Sequence, residues 1–243
     1  MTVSSEKAEL TDIIIIYNVR RYGSAGRFYH WIHAASMALF ISTGWQIHTR
    51  EIIFGDMSFI RTLHIMLGIF ILFWDLVYQP LLLALEGHIK DVIPTPSDVR
   101  DLILIVLCTL NLISDDNYPH YDFYNAETGM YHRKYHPAQK FLAISDLIAM
   151  LLMGATGIAL AEAQQPGSTG IMSFFVGLND LMLPFLGLLG ISVRFFHFLL
   201  FVFFTLTTIF HVYFALIPQN VARLKAMITG KEDIQENINK EVL

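Results

Sequence analysis

The sequence predicts an all-α integral membrane protein: a four-helix transmembrane bundle with a cytoplasmic cap and short interfacial helices. Of its 243 residues, 54% are apolar and 15% are charged, and the mean hydropathy is +0.51. This balance lies outside the range of water-soluble domains. Four stretches also have the roughly 20 apolar residues that a helix needs to cross a bilayer core about 30 Å thick. We therefore expect residues 1–243 to form a single transmembrane domain.

The four predicted spans are apolar runs with few charges, and a proline follows the last of them. Pro218 ends that run because proline cannot continue a helix. The spans run from about Phe28 to Ile47, Leu63 to Leu85, Phe141 to Ala163 and Phe195 to Ile217.

Two further apolar stretches are ambiguous. Leu102 to Ile113 has only twelve residues, and Ile171 to Ile191 is interrupted by Asn179, Asp180 and Pro184. A helix this short or this polar is more typical of an interfacial or internal position than of a span. We place both stretches at the membrane interface or packed within the protein.

The lysines and arginines favour four spans with both termini in the cytoplasm, because positively charged loops stay on that side. In this topology Arg50, Arg61 and Arg194 are the three outer ones of sixteen, which leaves thirteen inside. If both ambiguous stretches also crossed, the split would fall to ten against six. The apolar run Ile13 to Tyr17 is too short for a signal-peptide core. We expect a multi-pass protein of the cytoplasmic membrane.

The connection between the second and third predicted spans is long. Glu86 to His136 is about fifty residues and includes Pro94, Pro96 and Pro119, which is too long for a simple turn. We predict a structured cytoplasmic cap here.

Composition also excludes several classes of function. The net charge of -5 and the scattered basic residues offer no nucleic-acid footprint. Cys108 is the only cysteine, which rules out an intrachain disulfide and an iron-sulfur cluster held by this chain alone. An electron carrier in this chain must therefore be held by histidine.

Four histidines near the ends of the predicted spans form two pairs. His197 and His211 lie fourteen residues apart on the fourth span, about 21 Å of rise and within about 40° of the same helix face. The predicted topology places His30 at the inner depth of His211. It places His64 at the outer depth of His197.

Two opposed imidazoles fill both axial positions of a haem iron, which favours electron transfer over oxygen chemistry. Zinc is the competing metal, but it needs three or four ligands at one point, whereas these histidines fall at two depths. His33 is an alternative to His30 as the inner ligand. Gly68, one turn after His64, removes a side chain from the histidine face and either admits a porphyrin or serves helix packing.

Several short motifs resemble, in order and spacing, the cytochrome b subunits of membrane formate dehydrogenases and nickel-iron hydrogenases. The resemblance covers nearly the whole chain. It is closest in pattern to the gamma subunit of formate dehydrogenase, with thiosulfate-reductase cytochromes nearby. The motifs are RFYHWIHAASMALFISTGW at 27–45, RTLHIMLG at 61–68, PTPSD at 94–98, KYHPAQK at 134–140, TG at 156–157, and RFFH at 194–197 with a second histidine fourteen residues later.

The resemblance implies an electron-transfer subunit of an oxidoreductase complex rather than the catalytic subunit. It implies two haem b groups, with His30, His64, His197 and His211 as axial ligands. It also implies a quinone site beside the inner haem, near Tyr135 to Lys140, for menaquinone or a similar carrier.

The predicted quinone site contains His136, Gln139 and Lys140. The formate dehydrogenase type has an asparagine where this chain has His136, which leaves the identity of the carrier open. An imidazole there could donate a hydrogen bond or a proton to a quinone oxygen, although it could also be an interfacial histidine in water. Asp146, about 9 Å along the helix from Lys140, is a candidate proton relay. For Asp75 we expect a structural role, paired with a polar neighbour.

The partners that the resemblance implies are membrane lipid, the quinone pool, and an iron-sulfur subunit and a catalytic subunit on the outer face. The sequence leaves the direction of electron flow open. Two rival functions also remain: a haem-bearing membrane anchor without a quinone site of its own, and a membrane transporter without haem.

Overall fold

The structure is a computed structural model that describes residues 13–119, 123–125, 130–132, 135–164, 166–167 and 170–237. The described residues form two compact units. The smaller contains those of Met1–Phe28 and His211–Leu243, and the larger those of Tyr29–Phe210. The single-domain organisation stays a prediction.

The described chain is predominantly helical, which confirms the predicted fold class. A π-helical turn, Trp74–Tyr78, joins α2 to α3, and 3-10 turns lie at Asp115–Asn117 and Pro218–Asn220. The helices are α1 Ser24–Thr49, α2 Met57–Phe73, α3 Gln79–Leu85, α4 Ile89–Val92, α5 Pro96–Thr109, α6 Pro137–Glu162, α7 Ile171–Leu188, α8 Val193–Leu216 and α9 Val221–Thr229.

Four helical segments of the described chain are long and apolar enough to cross a membrane. Three of them overlap most of the second, third and fourth predicted spans. The fourth is α7, which lies in an apolar stretch that we did not count as a span. The segments are Met57–Leu85, Pro137–Glu162, Ile171–Leu188 and Val193–Leu216.

Helix α1 covers the first predicted span but is less apolar than the other long helices. Its 26 residues include Ser36, Thr43 and Gln46, all of which are buried. These polar side chains lower the mean hydropathy of α1. Because they are buried, they face other parts of the protein. Two hydrogen bonds connect α1 to the helical segment from α2 to α3: His33 bonds to Asp75, and Thr43 bonds to His64. Their order along the chain shows that the two segments run antiparallel.

Helices α7 and α8 both pack against α6. Phe175 on α7 packs against Gly154, and His197 at the start of α8 packs against Gly157 near the end of α6. The end of α6 and the start of α8 therefore lie side by side. The placement of Ile171 to Ile191 at the interface or within the protein stays a prediction. The count of four spans stays a prediction.

The predicted cap is structured. Thr95 and Asp98 form a capping box at the start of α5, and Lys140 in the first turn of α6 pairs with Asp98. The short strands β2 Phe123–Asn125 and β3 Met130–His132 pair antiparallel. Which side of the membrane this region faces stays a prediction.

The smaller unit contains a second two-stranded sheet. Strand β1, Ile13–Arg20, pairs antiparallel with β4, Lys231–Asn237, and the buried side chain of Arg21 pairs with Glu232 at 2.8 Å. The sequence analysis predicted no strands here. Because the segment before α1 pairs with the segment after α9, both lie on one side, which fits an even number of membrane crossings.

The core of the larger unit joins five helices. Its buried residues come from α1, α2, α6, α7 and α8, and they separate two groups of polar side chains that are described below. They are Met37, Ile71, Leu72, Ala149, Met150, Met153, Ala155, Phe175, Leu200 and Phe204.

Candidate functional site

Two histidines from different helices each bond to a threonine at one end of the bundle. The Nδ1 atom of His64 on α2 lies 2.9 Å from Oγ1 of Thr43 on α1. The Nδ1 atom of His197 on α8 lies 2.8 Å from Oγ1 of Thr156 on α6. We call these four residues and their neighbouring glycines, Gly44 and Gly157, the outer site.

The hydrogen-bond network fixes the tautomer of both histidines. Thr43 donates its hydroxyl hydrogen to its own helix, where the carbonyl of Leu39 lies 2.9 Å away. Thr156 does the same to the carbonyl of Leu152, also at 2.9 Å. Since each hydroxyl hydrogen is used in this way, the histidine Nδ1–H must donate to the threonine oxygen. Nε2 is therefore the nitrogen that can bind a metal in both rings.

A glycine follows each threonine and gives the histidine ring its space. A methyl group at Gly44 would lie 3.2 Å from Cε1 of His64, and one at Gly157 would lie 3.2 Å from Cε1 of His197. Any larger residue would push the ring away. The close contact that Gly157 permits is therefore with a predicted ligand, His197.

The spacing of the two rings fits two axial ligands of one iron. Metal–imidazole bonds of about 2.0 Å and about 1.2 Å from nitrogen to ring centre place the centres of two opposed imidazoles about 6.4 Å apart. The ring centres of His64 and His197 are 6.5 Å apart. In the described chain, no group of three or more His, Cys, Asp or Glu residues could hold a metal ion. The pair therefore suits haem, whose porphyrin supplies the other ligands.

An apolar cleft adjoins the two rings. It is lined by residues of α1, α2, α6 and α8, among them Gly68. The ring of Phe40 on α1 stacks on His64, with ring centres 4.2 Å apart. The lining residues are Phe40, His64, Ile65, Gly68, Ile69, Ile71, Leu72, Met150, Met153, Gly154, Gly157, Ile158, Ala161 and His197.

The inner pair of predicted ligands, His30 and His211, is divided between the two compact units. His30 belongs to the larger unit, and His211 to the smaller one, so their pairing stays a prediction. The ring of His30 lies edge-on to Trp31, with centres 5.3 Å apart. His33, the alternative ligand, bonds through Nδ1 to Asp75 at 2.9 Å.

The alternative ligand is part of a buried polar cluster around Asp75. The Asp75 carboxylate, 6% exposed, also accepts a hydrogen bond from the hydroxyl of Tyr29 at 2.8 Å. The expected structural role of Asp75, paired with polar neighbours, is confirmed. Asp75 lies in the π-helical turn, a geometry often found at functional sites.

Asp146 lies near this cluster. Its Oδ1 atom is buried and has no hydrogen-bond partner in the described part of the chain, and His33 and Asp75 are titratable neighbours within electrostatic range of it. Asp146, His33 and Asp75 come from α6, α1 and the π-helical turn, so three helical segments bring titratable groups together. A buried carboxyl atom without a partner is costly and is a good place to hold a proton.

His136 and Gln139 form the cap of α6. The Ala138 N–H donates to Nδ1 of His136 at 3.0 Å, and the His136 N–H donates to Oε1 of Gln139 at 3.1 Å. With Nδ1 as an acceptor, a neutral His136 carries its proton on Nε2. The sequence motif alone did not predict this capping role.

Lys140 has a structural partner that the sequence analysis did not include. Its Nζ atom lies 3.1 Å from Oδ2 of Asp98, and both side chains are nearly buried. Burial alone would raise the pKa of Asp98, but hydrogen bonds from Thr95 and the charge of Lys140 outweigh it and lower the pKa. This ion pair connects α5 to α6, and it engages the side chain of Lys140, one of the predicted quinone-site residues.

Sequence reasoning missed the part that Thr43, Gly44 and Thr156 play. The signal was a Thr-Gly dipeptide near the end of two of the long helices, STGW at 42–45 and ATGI at 155–158. Their meaning became visible only when α1 was placed beside α2, and α6 beside α8.

Known proteins are similar to this chain over most of its length. The family model for prokaryotic cytochrome b561 matches residues 21–230. The F420 non-reducing hydrogenase II cytochrome subunit of Methanosarcina mazei is 26% identical over 239 residues, which cover 92% of this chain and 86% of that protein. No solved structure matches.

Proposed function

Because the chain belongs to the prokaryotic cytochrome b561 family, we propose that it is the di-haem cytochrome b subunit of a respiratory oxidoreductase complex. It is a membrane protein, and its family implies haem b. The single observation that carries the proposal is the outer site: two histidines with Nδ1 engaged, Nε2 left for iron, and ring centres 6.5 Å apart.

The outer haem is held by His64 and His197, and the inner haem by His30 and His211. When bound, a haem with two imidazole ligands takes up and releases single electrons without binding oxygen. The chain's own residues hold the rings, fix their tautomer and surround them with apolar side chains. The second pair rests on sequence spacing and on the resemblance.

The complex is of the hydrogenase or formate dehydrogenase type. The similarity to a hydrogenase cytochrome subunit supports a hydrogenase as the catalytic partner. The chain passes electrons between an iron-sulfur subunit on the outer face and a quinone-type carrier in the membrane. Moving charge through the chain stores about 2.3 kcal/mol per elementary charge per 100 mV of membrane potential.

The carrier site contains His136, Gln139, Lys140 and Asp146, with the termini and this site on the cytoplasmic side. The cap of α6 leaves the His136 proton on Nε2, where it can donate to a carrier oxygen. Asp146 holds a proton on its way to the carrier. The ion pair with Asp98 gives Lys140 the role of fixing the start of α6 rather than that of a donor.

Haem stoichiometry of the purified chain tests the ligands. Wild type should hold two haems per chain with bis-imidazole spectra. His64→Ala and His197→Ala should each hold one, and so should His30→Ala and His211→Ala. His48→Ala is the matched control, because His48 also lies at the outer end of α1 but stacks on Phe198.

The result of these substitutions decides the proposal. A colourless wild-type chain would overturn it and favour a transporter. Full haem content in His64→Ala and His197→Ala would show that the outer site does not bind haem. Loss of a haem in His33→Ala but not in His30→Ala would move the inner ligand to His33.

A second candidate function is a haem-bearing anchor without a carrier site. The observation that favours it is that His136, Gln139 and Lys140 all have structural partners at the start of α6. His136→Ser separates the two functions, because serine caps a helix well but has no ring N–H.

Carrier reduction by the native complex should fall at least about a hundredfold in His136→Ser and in Asp146→Asn, while the partner still reduces both haems. The size follows from the loss of a general acid, which contributes about 10²–10⁴-fold. Wild-type rates in both variants would favour the anchor.

A further inference from the structure

We infer that Thr43 and Thr156 are positioning residues that fix the two ligands of the outer haem and set its reduction potential. The inference rests on the proposed function, since it needs His64 and His197 to bind iron. It goes beyond that function because it assigns a role to two side chains that would not touch the metal.

Each threonine is held in place by its own helix. The hydroxyl of Thr43 lies 2.9 Å from the carbonyl of Leu39, one helical turn back, and Thr156 bonds to Leu152 at 2.9 Å in the same way. A threonine fixed like this presents an oxygen lone pair in one direction. The imidazole Nδ1–H can meet it in only one orientation of the ring.

The arrangement occurs twice on different helix pairs. Oγ1 of Thr43 on α1 lies 2.9 Å from Nδ1 of His64 on α2. Oγ1 of Thr156 on α6 lies 2.8 Å from Nδ1 of His197 on α8. In both cases the next residue is a glycine, and a Cβ atom added there would lie 3.2 Å from Cε1 of the histidine ring. A short loop joins α1 to α2, whereas a segment that contains α7 joins α6 to α8, so local chain geometry does not impose the repetition. A shared requirement of the two rings explains it.

The bond has an electrostatic consequence for the iron. An imidazole that donates its Nδ1–H becomes a more basic ligand, which stabilises the ferric state relative to the ferrous state. Threonine oxygen is a neutral acceptor, so this effect is weaker than a carboxylate would give. Removing the acceptor should therefore favour reduction of the outer haem.

The test uses Thr43→Val and Thr156→Val in the full chain with both haems bound. Valine keeps the shape of threonine but cannot accept a hydrogen bond. Thr43→Ser and Thr156→Ser restore the hydroxyl. Thr205→Val is the matched control, because the Thr205 hydroxyl makes the same bond to its own helix, at 2.8 Å to the Phe201 carbonyl.

Two readouts separate positioning from general stability: the reduction potential of each haem and the ferric low-spin resonance spectrum. Each valine variant should shift the reduction equilibrium of the outer haem about threefold toward the reduced form. That is about 28 mV at 59 mV per tenfold for one electron. The inner haem should not change, and the serine variants should return to wild-type values.

The outcomes distinguish this inference from the proposed function. If both haems are present in wild type and the valine variants leave the potential and spectrum of the outer haem unchanged, the inference fails and the proposed function stands. If the valine variants lose the outer haem while the serine variants keep it, the positioning role is supported. If the wild-type chain binds no haem, both fail.

Discussion

Adding a methyl group to the glycines of the outer site should weaken haem binding. In Gly44→Ala the new Cβ would lie 3.2 Å from Cε1 of His64, and in Gly157→Ala it would lie 3.2 Å from Cε1 of His197. Carbon atoms prefer about 3.5–4.0 Å, so each ring must move by a few tenths of an ångström. The ring has little freedom to do so while its Nδ1 is bonded to threonine.

The size of the effect follows from packing energetics. Forcing an extra methyl group into a filled site costs about 1–3 kcal/mol. Without haem, each ring is held only by its bond to threonine and can give up that bond to turn away from the new methyl group, so the cost falls mainly on the haem-bound form. A cost of 1–3 kcal/mol lowers affinity about 5- to 140-fold. The gain of about 0.5–1 kcal/mol from alanine in a helix is common to both forms and cancels.

Haem titration of the apo chain in detergent measures this change. Gly177→Ala on α7 is the matched control, because no atom lies within 4 Å of a methyl group there, and its haem affinity should equal that of wild type. Wild-type affinity in Gly44→Ala and Gly157→Ala, with the control behaving as expected, would refute the placement of the two rings beside their glycines.

Two further predictions concern the polar groups away from the outer site. Asp98→Asn should lower the free energy of unfolding by about 3–5 kcal/mol, because it leaves Lys140 nearly buried without its counter-charge. Since the folded state lowers the pKa of Asp98, this contribution is fully present above pH about 4 and is lost as the pH falls below it. Thermal unfolding of both chains across this range measures the loss, and a constant difference down to pH 2 would contradict it. Asp75→Ala should lower the free energy of unfolding by about 1–3 kcal/mol, because it leaves the part-buried hydroxyl of Tyr29 without its acceptor. An unchanged unfolding transition would show that the hydrogen bonds to Asp75 contribute little.

The sequence predicted the features that depend on composition and on spacing along one helix. Apolar length located the helices. That His197 and His211 share one face of α8, as their fourteen-residue interval indicates, stays a prediction. The rule that positively charged loops stay in the cytoplasm then predicted that His64 and His197 lie at the same depth. The two rings do lie together. These inferences succeed because lipid allows few alternatives to a long helix.

The features that the sequence did not predict depend on contacts between helices or on the chain ends. Thr156 and Thr43 gain their role only from the histidines opposite them. The strands β1 and β4 lie more than 200 residues apart, so no local pattern pairs them. Lys140 was predicted in the quinone site, whereas its side chain forms an ion pair with Asp98, which lies on another helix.

Helices α1 and α7 together show why hydropathy alone misjudges a membrane helix that carries function. Helix α1 falls short of the apolar composition of a span because it bears Thr43, His33 and other polar residues. These are the side chains that orient one predicted ligand and hold Asp75. Helix α7 meets the criterion by length and composition, yet it supplies none of the predicted ligands. A helix that supports a cofactor needs polar groups facing inward, and each such group lowers its hydropathy while its outer face stays apolar. In a cofactor-binding bundle, the least apolar of the long helices is therefore the first place to look for residues that orient the ligands.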